Sequence, residues 1–274
     1  MRRAFPVVLV LATALSVTFL LLPVLAIFLR VSPGHLLAQL GSPVARDALL
    51  VSLKTNAVAE AIILVVGTPA AWFLARRAFR GRALVITAIE LPLVLPPAVA
   101  GIALIATFGR FQLLGGSLHA LGFDIGFTQA AVVLAILFVA SPFYLRQAIA
   151  SFEAVDGTLL DAARTLGAPP HRVFARVALP LALGGLGAGA ALSFARALGE
   201  FGATIMFAGS LRGVTQTLPL AIYAEFDLNF EVALAMGALL VLVSGTVLLA
   251  SKMLPRWLRS ASTSPYPFAP SISS

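Results

Sequence analysis

The chain has 274 residues, of which 60% are hydrophobic and 11% charged, with a formal net charge of +8. A soluble domain carries about a quarter of its residues as charged side chains, so this composition excludes water as the main solvent. It contains no cysteine, which excludes disulfides, thiolate metal sites and cysteine nucleophiles.

A membrane-crossing helix needs roughly 20 mainly apolar residues. In chain order, six stretches qualify: 5–29, 49–74, 83–108, 125–145, 177–200 and 232–251. The first follows Arg2 and Arg3, as a signal peptide would. It exceeds the usual apolar core of roughly 7–15 residues and no small-x-small cleavage site follows, so an uncleaved span is expected. Lys54 and Glu60 interrupt the second stretch, with Lys54 close enough to one end to snorkel toward the headgroups. The third carries Glu90, Pro92, Pro96 and Pro97, breaks that a membrane helix tolerates where neighbours or a wet cavity satisfy the freed backbone. The fold class expected is all-α: a polytopic membrane domain over 1–259 with six spans, then a Ser- and Pro-rich tail over 260–274 expected to be disordered.

Positive loops are retained in the cytoplasm, and in a six-span arrangement thirteen of the nineteen Lys and Arg residues fall on one side. That side holds both termini and the connection 146–176, and its charge needs no nucleic acid partner to explain it. The connection is long for a bridge between spans and should contain structure. Within it, Leu159, Leu160, Ala163 and Leu166 recur at helical spacing, Asp156 suits an N-cap, and Gly167 followed by Pro169 and Pro170 suits a stop. From pattern alone this short helix could rest on lipid headgroups or dock a partner.

Asp161, Ala162, Ala163, then Gly167 after three residues, then Val177, Ala178, Leu179 and Pro180 after nine more, resemble the cytoplasmic loop of ATP-binding-cassette importer permeases. That family's pattern is Glu-Ala-Ala, three residues, Gly, nine residues, Ile-x-Leu-Pro, so Asp161 and Val177 are mild departures. The resemblance implies a coupling helix that sits in a groove of a partner ATPase, with Glu153, Asp161, Ala162, Ala163, Arg164 and Gly167 as its contact set. The small face of Ala162, Ala163 and Gly167 would permit close approach, and Asp161 and Arg164 would fix register at the rim.

A second resemblance covers residues 45–250. The sequences LPLVLPPAVAGIALIATFGR from Leu91 and FARALGEFGATIMFAGSLRGVTQTLPLAIY from Phe194 are similar to bacterial permeases of the molybdate or tungstate family, with sulfate permeases as relatives. What this implies is a homodimer in the bacterial inner membrane, two ATP-binding subunits and an external binding protein that captures the oxyanion. ATP and Mg would be bound by the ATPase partner, and this chain would hold no cofactor. Molybdate and tungstate are tetrahedral dianions of similar size, and the sequence separates neither from the other.

Arg196 and Glu200 stand four residues apart at the end of the fifth stretch, where ionisable groups usually face protein or water. They read either as an ion pair on one helix face or as a gate, with Arg196 seeing the anion and Glu200 switching partners. Thr204, Thr215, Gln216 and Thr217 are uncharged donors suited to a path that binds weakly, although such residues also satisfy loop backbone. Gly185 and Gly189 have the small-xxx-small spacing of closely packed helices.

Enzymatic readings lack support. His35, His119 and His171 are expected in loops and have no metal-ligand spacing, and no Walker-type phosphate loop occurs. Two other transporters compete: a sulfate or thiosulfate permease subunit, and a proton-coupled secondary transporter using Glu60 and Glu90 as titrating intramembrane carboxylates.

Overall fold

The computed structural model describes residues 4–31, 34, 38 and 41–261. Expectations for Arg2, Arg3, His35 and the tail beyond residue 261 lie outside the described residues. The chain is an all-α polytopic membrane protein, with no strand among the described residues. The described chain opens with α1 (Ala4–Arg30), α2 (Pro43–Arg76), α3 (Arg82–Val94), α4 (Pro97–Phe108), the short α5 (Gly115–Ala120) and α6 (Gln129–Glu153). Then come α7 (Gly157–Thr165), α8 (Pro170–Val173), a π-helical turn (Phe174–Ala178) and α9 (Leu179–Leu198). The chain closes with α10 (Gly202–Ala208), α11 (Leu218–Phe226) and α12 (Phe230–Ala261).

Five helical runs are long and apolar enough to cross a membrane, or six if α3 and α4 count as one broken span. The apolar stretch 83–108 is therefore not one continuous helix. Pro96 and Pro97 supply no amide hydrogen and push the preceding residue out of the α region, so the helix stops at Val94 and restarts at Pro97. Other helices outrun their apolar stretches: α2 begins at Pro43, α6 runs on to Glu153, and the run ending at Leu198 begins at Pro170. Hydropathy marks only the part of a helix that suits hydrocarbon, while polar helix ends are held by contacts it does not register. Along α1, Val8, Leu11, Leu15, Phe19 and Leu22 are exposed, as suits a helix whose solvent is lipid.

The contacts divide the chain into two compact units, one over 1–59, 95–139 and 197–245, the other over 60–94, 140–196 and 246–274. In the first unit, Ala45 and Ala48 of α2 pack with Leu218 and Ala221 of α11 and Val232 and Met236 of α12. Ser52 Oγ of α2 accepts a hydrogen bond from the Leu218 amide at 2.7 Å and serves the first turn of α11. Helices α4 and α10 touch through glycine: a Cβ on Gly101 would lie 2.6 Å from Met206 Cβ.

In the second unit, Tyr144 and Thr68 share a hydroxyl–hydroxyl hydrogen bond of 2.6 Å between α6 and α2. Trp72 is wedged between Phe152 and Phe174, with ring centroids 5.3 and 5.6 Å away. Gly185 and Gly189 of α9 face α6, where a Cβ would overlap Ser151 Oγ or come within 3.1 Å of Gln147 Cβ. These glycines are thus helix-packing positions.

Candidate functional site

The Asp156 carboxylate caps α7 by accepting from the Thr158 amide at 2.9 Å. That hydrogen bond and the one from the Thr158 side chain hold the Asp156 carboxyl below the usual aspartate range. At the other end Gly167 has φ +79°, a left-handed conformation that glycine takes without strain. Its amide donates to the Arg164 carbonyl at 2.9 Å and the Ala168 amide donates to the Ala163 carbonyl at 3.0 Å, the pair of bonds that makes a Schellman stop. Both caps lie at the residues whose types suit them.

Helix α7 buries Leu160 and leaves most other side chains outside. Asp161, Ala162, Arg164 and Gly167 are exposed and Ala163 is half-buried. Arg164 pairs with Asp161 at 2.8 Å, one turn away. Leu166 is 88% exposed. Glu153 is not on α7: it ends α6, where its carboxylate pairs with Arg82 at the start of α3.

What ties this turn down was not apparent from the sequence. A terminal nitrogen of Arg76, the last residue of α2, donates to the Phe152 and Val155 carbonyls, each at 2.6 Å. Arg82 Nε donates to the Leu74 carbonyl at 2.7 Å. Read along the chain, Arg76 and Arg82 are only two of many positive loop residues; their placement against these carbonyls depends on how α2 meets α6.

The gate candidates fall in different surroundings. Helix α9 ends at Leu198, so Arg196 and Glu200 do not share one continuous helix face. Gly199 follows the helix, and Glu200 serves the next element: its carboxylate accepts the Ala203 amide at 2.7 Å, in the first turn of α10. Glu200, Thr204, Thr215, Gln216 and Thr217 are all buried, while Arg196 is half-buried. Thr215 Oγ accepts the Leu211 amide at 2.9 Å and Gln216 Nε donates to Ser210 Oγ at 3.4 Å, so these two serve their own loop. The Thr204 and Thr217 hydroxyls and the Asn56 carbonyl oxygen are buried without a hydrogen-bond partner among the described residues.

Asn56 and its neighbours were not singled out in the sequence. Ser52, Thr55 and Asn56 form a buried polar patch on α2, with Asn56 Nδ donating to the Ser52 carbonyl at 2.7 Å. Residues of this kind on an apolar helix have ordinary backbone-bonding uses, so spacing alone carries no signal for them.

The other membrane carboxylates have partners. Ser193 Oγ lies 2.8 Å from both Glu60 oxygens, and Glu90 faces Arg146 at 3.6 Å. His119 and His171 lie in the short helices α5 and α8 rather than in loops, with His119 bridging Arg110 at 3.0 Å and Asp124 at 2.8 Å. No cluster of three His, Cys, Asp or Glu that could hold a metal occurs among the described residues.

The family model described as "Binding-protein-dependent transport system inner membrane component" matches residues 64–259. The molybdenum transport system permease protein ModB of Mycobacterium tuberculosis is 44% identical over 243 residues, covering 85% of this chain and 89% of that protein. The sulfate transport system permease protein CysW of Synechocystis is 35% identical over 228 residues, covering 81% of this chain and 82% of that one. Two solved structures share the fold. One, a bacterial alginate ABC transporter with its periplasmic protein, has a TM-score of 0.74 at 14% identity, over 94% of this chain and 96% of that chain. The other, the inward-facing MetNI methionine ABC transporter, has a TM-score of 0.61 at 20% identity, over 78% of this chain and 96% of that chain.

Proposed function

The chain belongs to the family of inner membrane components of binding-protein-dependent transport systems, and from that premise we propose that it is the membrane-spanning permease subunit of an ATP-driven importer of molybdate, with tungstate in the same substrate class. The observation that carries the substrate is the 44% identity to a molybdenum permease over 85% of this chain, against 35% to a sulfate permease over 81%. Two copies of the chain form the pathway. Two ATP-binding subunits bind ATP and Mg and do the hydrolysis, and an external binding protein delivers the oxyanion. Both termini and the segment 146–176 face the cytoplasm, a reading supported by the asymmetry of Lys and Arg.

Helix α7 is the coupling helix of this reading. Its exposed Asp161, Ala162, Arg164 and Leu166 supply a surface for an ATPase groove, and its caps keep it short and rigid. Closure of the ATPase pair would press on α7. The load would reach α2 through Arg76, which grips the carbonyls of the turn leading into α7. Glu153, held by Arg82, stiffens that turn beside the partner rather than contacting it through α7.

The pathway needs groups that hold a dianion weakly enough to release it. Thr204 and Thr217 suit that task, because their buried hydroxyls have no protein partner among the described residues. Thr215 and Gln216 shape the loop that presents Thr217. Arg196 supplies positive charge at the end of α9, and Glu200 positions α10 through the Ala203 amide.

The test is transport in vesicles that contain this chain, its ATPase and its binding protein. Uptake of labelled molybdate should require ATP, should be competed by tungstate, and should withstand excess sulfate. Effective competition by sulfate would move the chain to the sulfate class, and uptake indifferent to ATP would overturn the importer reading.

A further inference from the structure

Beside the base of α7 lies a cavity of about 520 Å³ lined by Trp72, Phe73, Arg76, Arg77, Arg164 and Val173. We infer that it binds the phosphate headgroup of an acidic phospholipid, phosphatidylglycerol being the simplest, with the acyl chains lying along its aromatic side. The inference rests on the proposed orientation only in placing the cavity at the cytoplasmic membrane surface.

The charge argument comes first. Three guanidinium groups line the cavity, and no carboxylate does. Arg164 is compensated in part by Asp161, and Glu153 just outside is taken by Arg82. Arg76 has only two neutral carbonyls and the face of Trp72, 5.5 Å from its guanidinium carbon. Its Nε is buried with no hydrogen-bond partner among the described residues. The Arg77 side chain is exposed and forms no hydrogen bond or ion pair among the described residues. The cavity thus holds uncompensated positive charge at the end of a spanning helix, where one Arg near an anionic surface contributes about a fivefold gain in affinity.

The walls decide which anion. Trp72 is fixed by its ring contacts with Phe152 and Phe174, and Phe73 is 53% exposed beside Phe79, with ring centroids 5.7 Å apart. A free oxyanion would give up hydration against Trp72, Phe73 and Val173 and gain nothing from them. A phospholipid matches both halves, since its phosphate meets the arginines and its hydrocarbon meets the aromatic wall. Aromatic side chains in a helix's last turn also favour the headgroup zone.

The chain has two tryptophans, Trp72 and Trp257, so Trp257→Phe leaves Trp72 as its single tryptophan, excited selectively at 295 nm. The full-length chain is placed in phosphatidylcholine vesicles, and Trp72 is quenched by lipids brominated on their acyl chains. Brominated phosphatidylglycerol should reach half-quenching at roughly one-fifth the mole fraction that brominated phosphatidylcholine needs. Arg77→Gln should remove most of this preference. Equal quenching by the two lipids would overturn the site, as would an undiminished preference in both Arg77→Gln and Arg76→Gln. Inorganic phosphate added at constant ionic strength should not relieve the quenching; if it did, the site would belong to free anions and the lipid assignment would fall. The readout is independent of the importer reading. Lost lipid preference with intact ATP-driven uptake would sink only the site, and absent ATP dependence with intact preference would sink only the transport function.

Discussion

Arg76 carries more structure than a positive residue at a helix end usually does. It donates to two carbonyls of the turn before α7 at 2.6 Å, and hydrogen bonds from a charged donor are among the stronger ones. Arg76→Gln should therefore lower stability by about 2 kcal/mol, read as a fall in the thermal midpoint of the solubilised protein. It should also weaken the stimulation of ATP hydrolysis by loaded binding protein. Arg196 and Glu200 call for a different measurement, because α9 ends between them and Glu200 also serves the Ala203 amide. If the two act together, Arg196→Ala and Glu200→Ala should each impair transport and the double variant should do less harm than the two effects added. Strictly additive losses in the uptake assay would show that they act separately. The sequence pointed to these two charges but placed them on one helix. Where α9 ends depends on Gly199 and on the capping of α10, which spacing does not register.

At the scale of elements, the body and both caps of α7 were legible because each is local, while Glu153, grouped with it in the sequence, belongs to the end of α6. Asp156, the apolar spacing and Gly167 all act within a few residues of one another. The structure does refine how the helix should be probed. Ala163 is half-buried and Gly167 sits at φ +79°, so bulk at either position would also disturb the helix itself. Ala162 is exposed, and Ala162→Trp should leave the chain folded while separating it from its ATPase in co-purification. Retained assembly with full uptake would remove the coupling role. Gly167→Ala, by contrast, should destabilise α7 by about 1–2 kcal/mol through the left-handed backbone. Asp156 gives α7 a pH dependence. Its folded-state pKa is depressed, so its contribution is present above the unfolded value and is lost as pH falls through the folded one. The protection of the Thr158 amide against exchange, taken relative to its intrinsic rate at each pH, should accordingly fall as pH drops through the folded-state value and stay level above it. Between elements, Gly101→Ala should cost about 1–3 kcal/mol, since the new methyl would meet Met206 Cβ at 2.6 Å where α4 touches α10.

For the whole molecule the first question is which side of the membrane each end faces. Reporter insertions at Gly126 and Gly157 suit the test, because both residues are exposed with open space around them. Gly157 and the carboxyl terminus should report the cytoplasm and Gly126 the outside. An outside signal from Gly157 would reverse the topology, and with it the docking surface assigned to α7.

Apolar content, the spacing of charge-free stretches and the short-range grammar of α7 were available from the sequence alone, because lipid solvation and helix capping act on each stretch independently. They suffice for an all-α membrane protein and for the place of the short capped helix α7. Tertiary structure decided what depends on residues far apart meeting. It turned Arg76 and Arg82 into ties and gave Gly185 and Gly189 their partners on α6. It also buried Ser52, Thr55 and Asn56 and gathered Arg76, Arg77 and Arg164 around one cavity. A polar residue's role in a membrane helix depends on which neighbour supplies the other half of its hydrogen bond or balances its charge, and only the packed structure determines that neighbour.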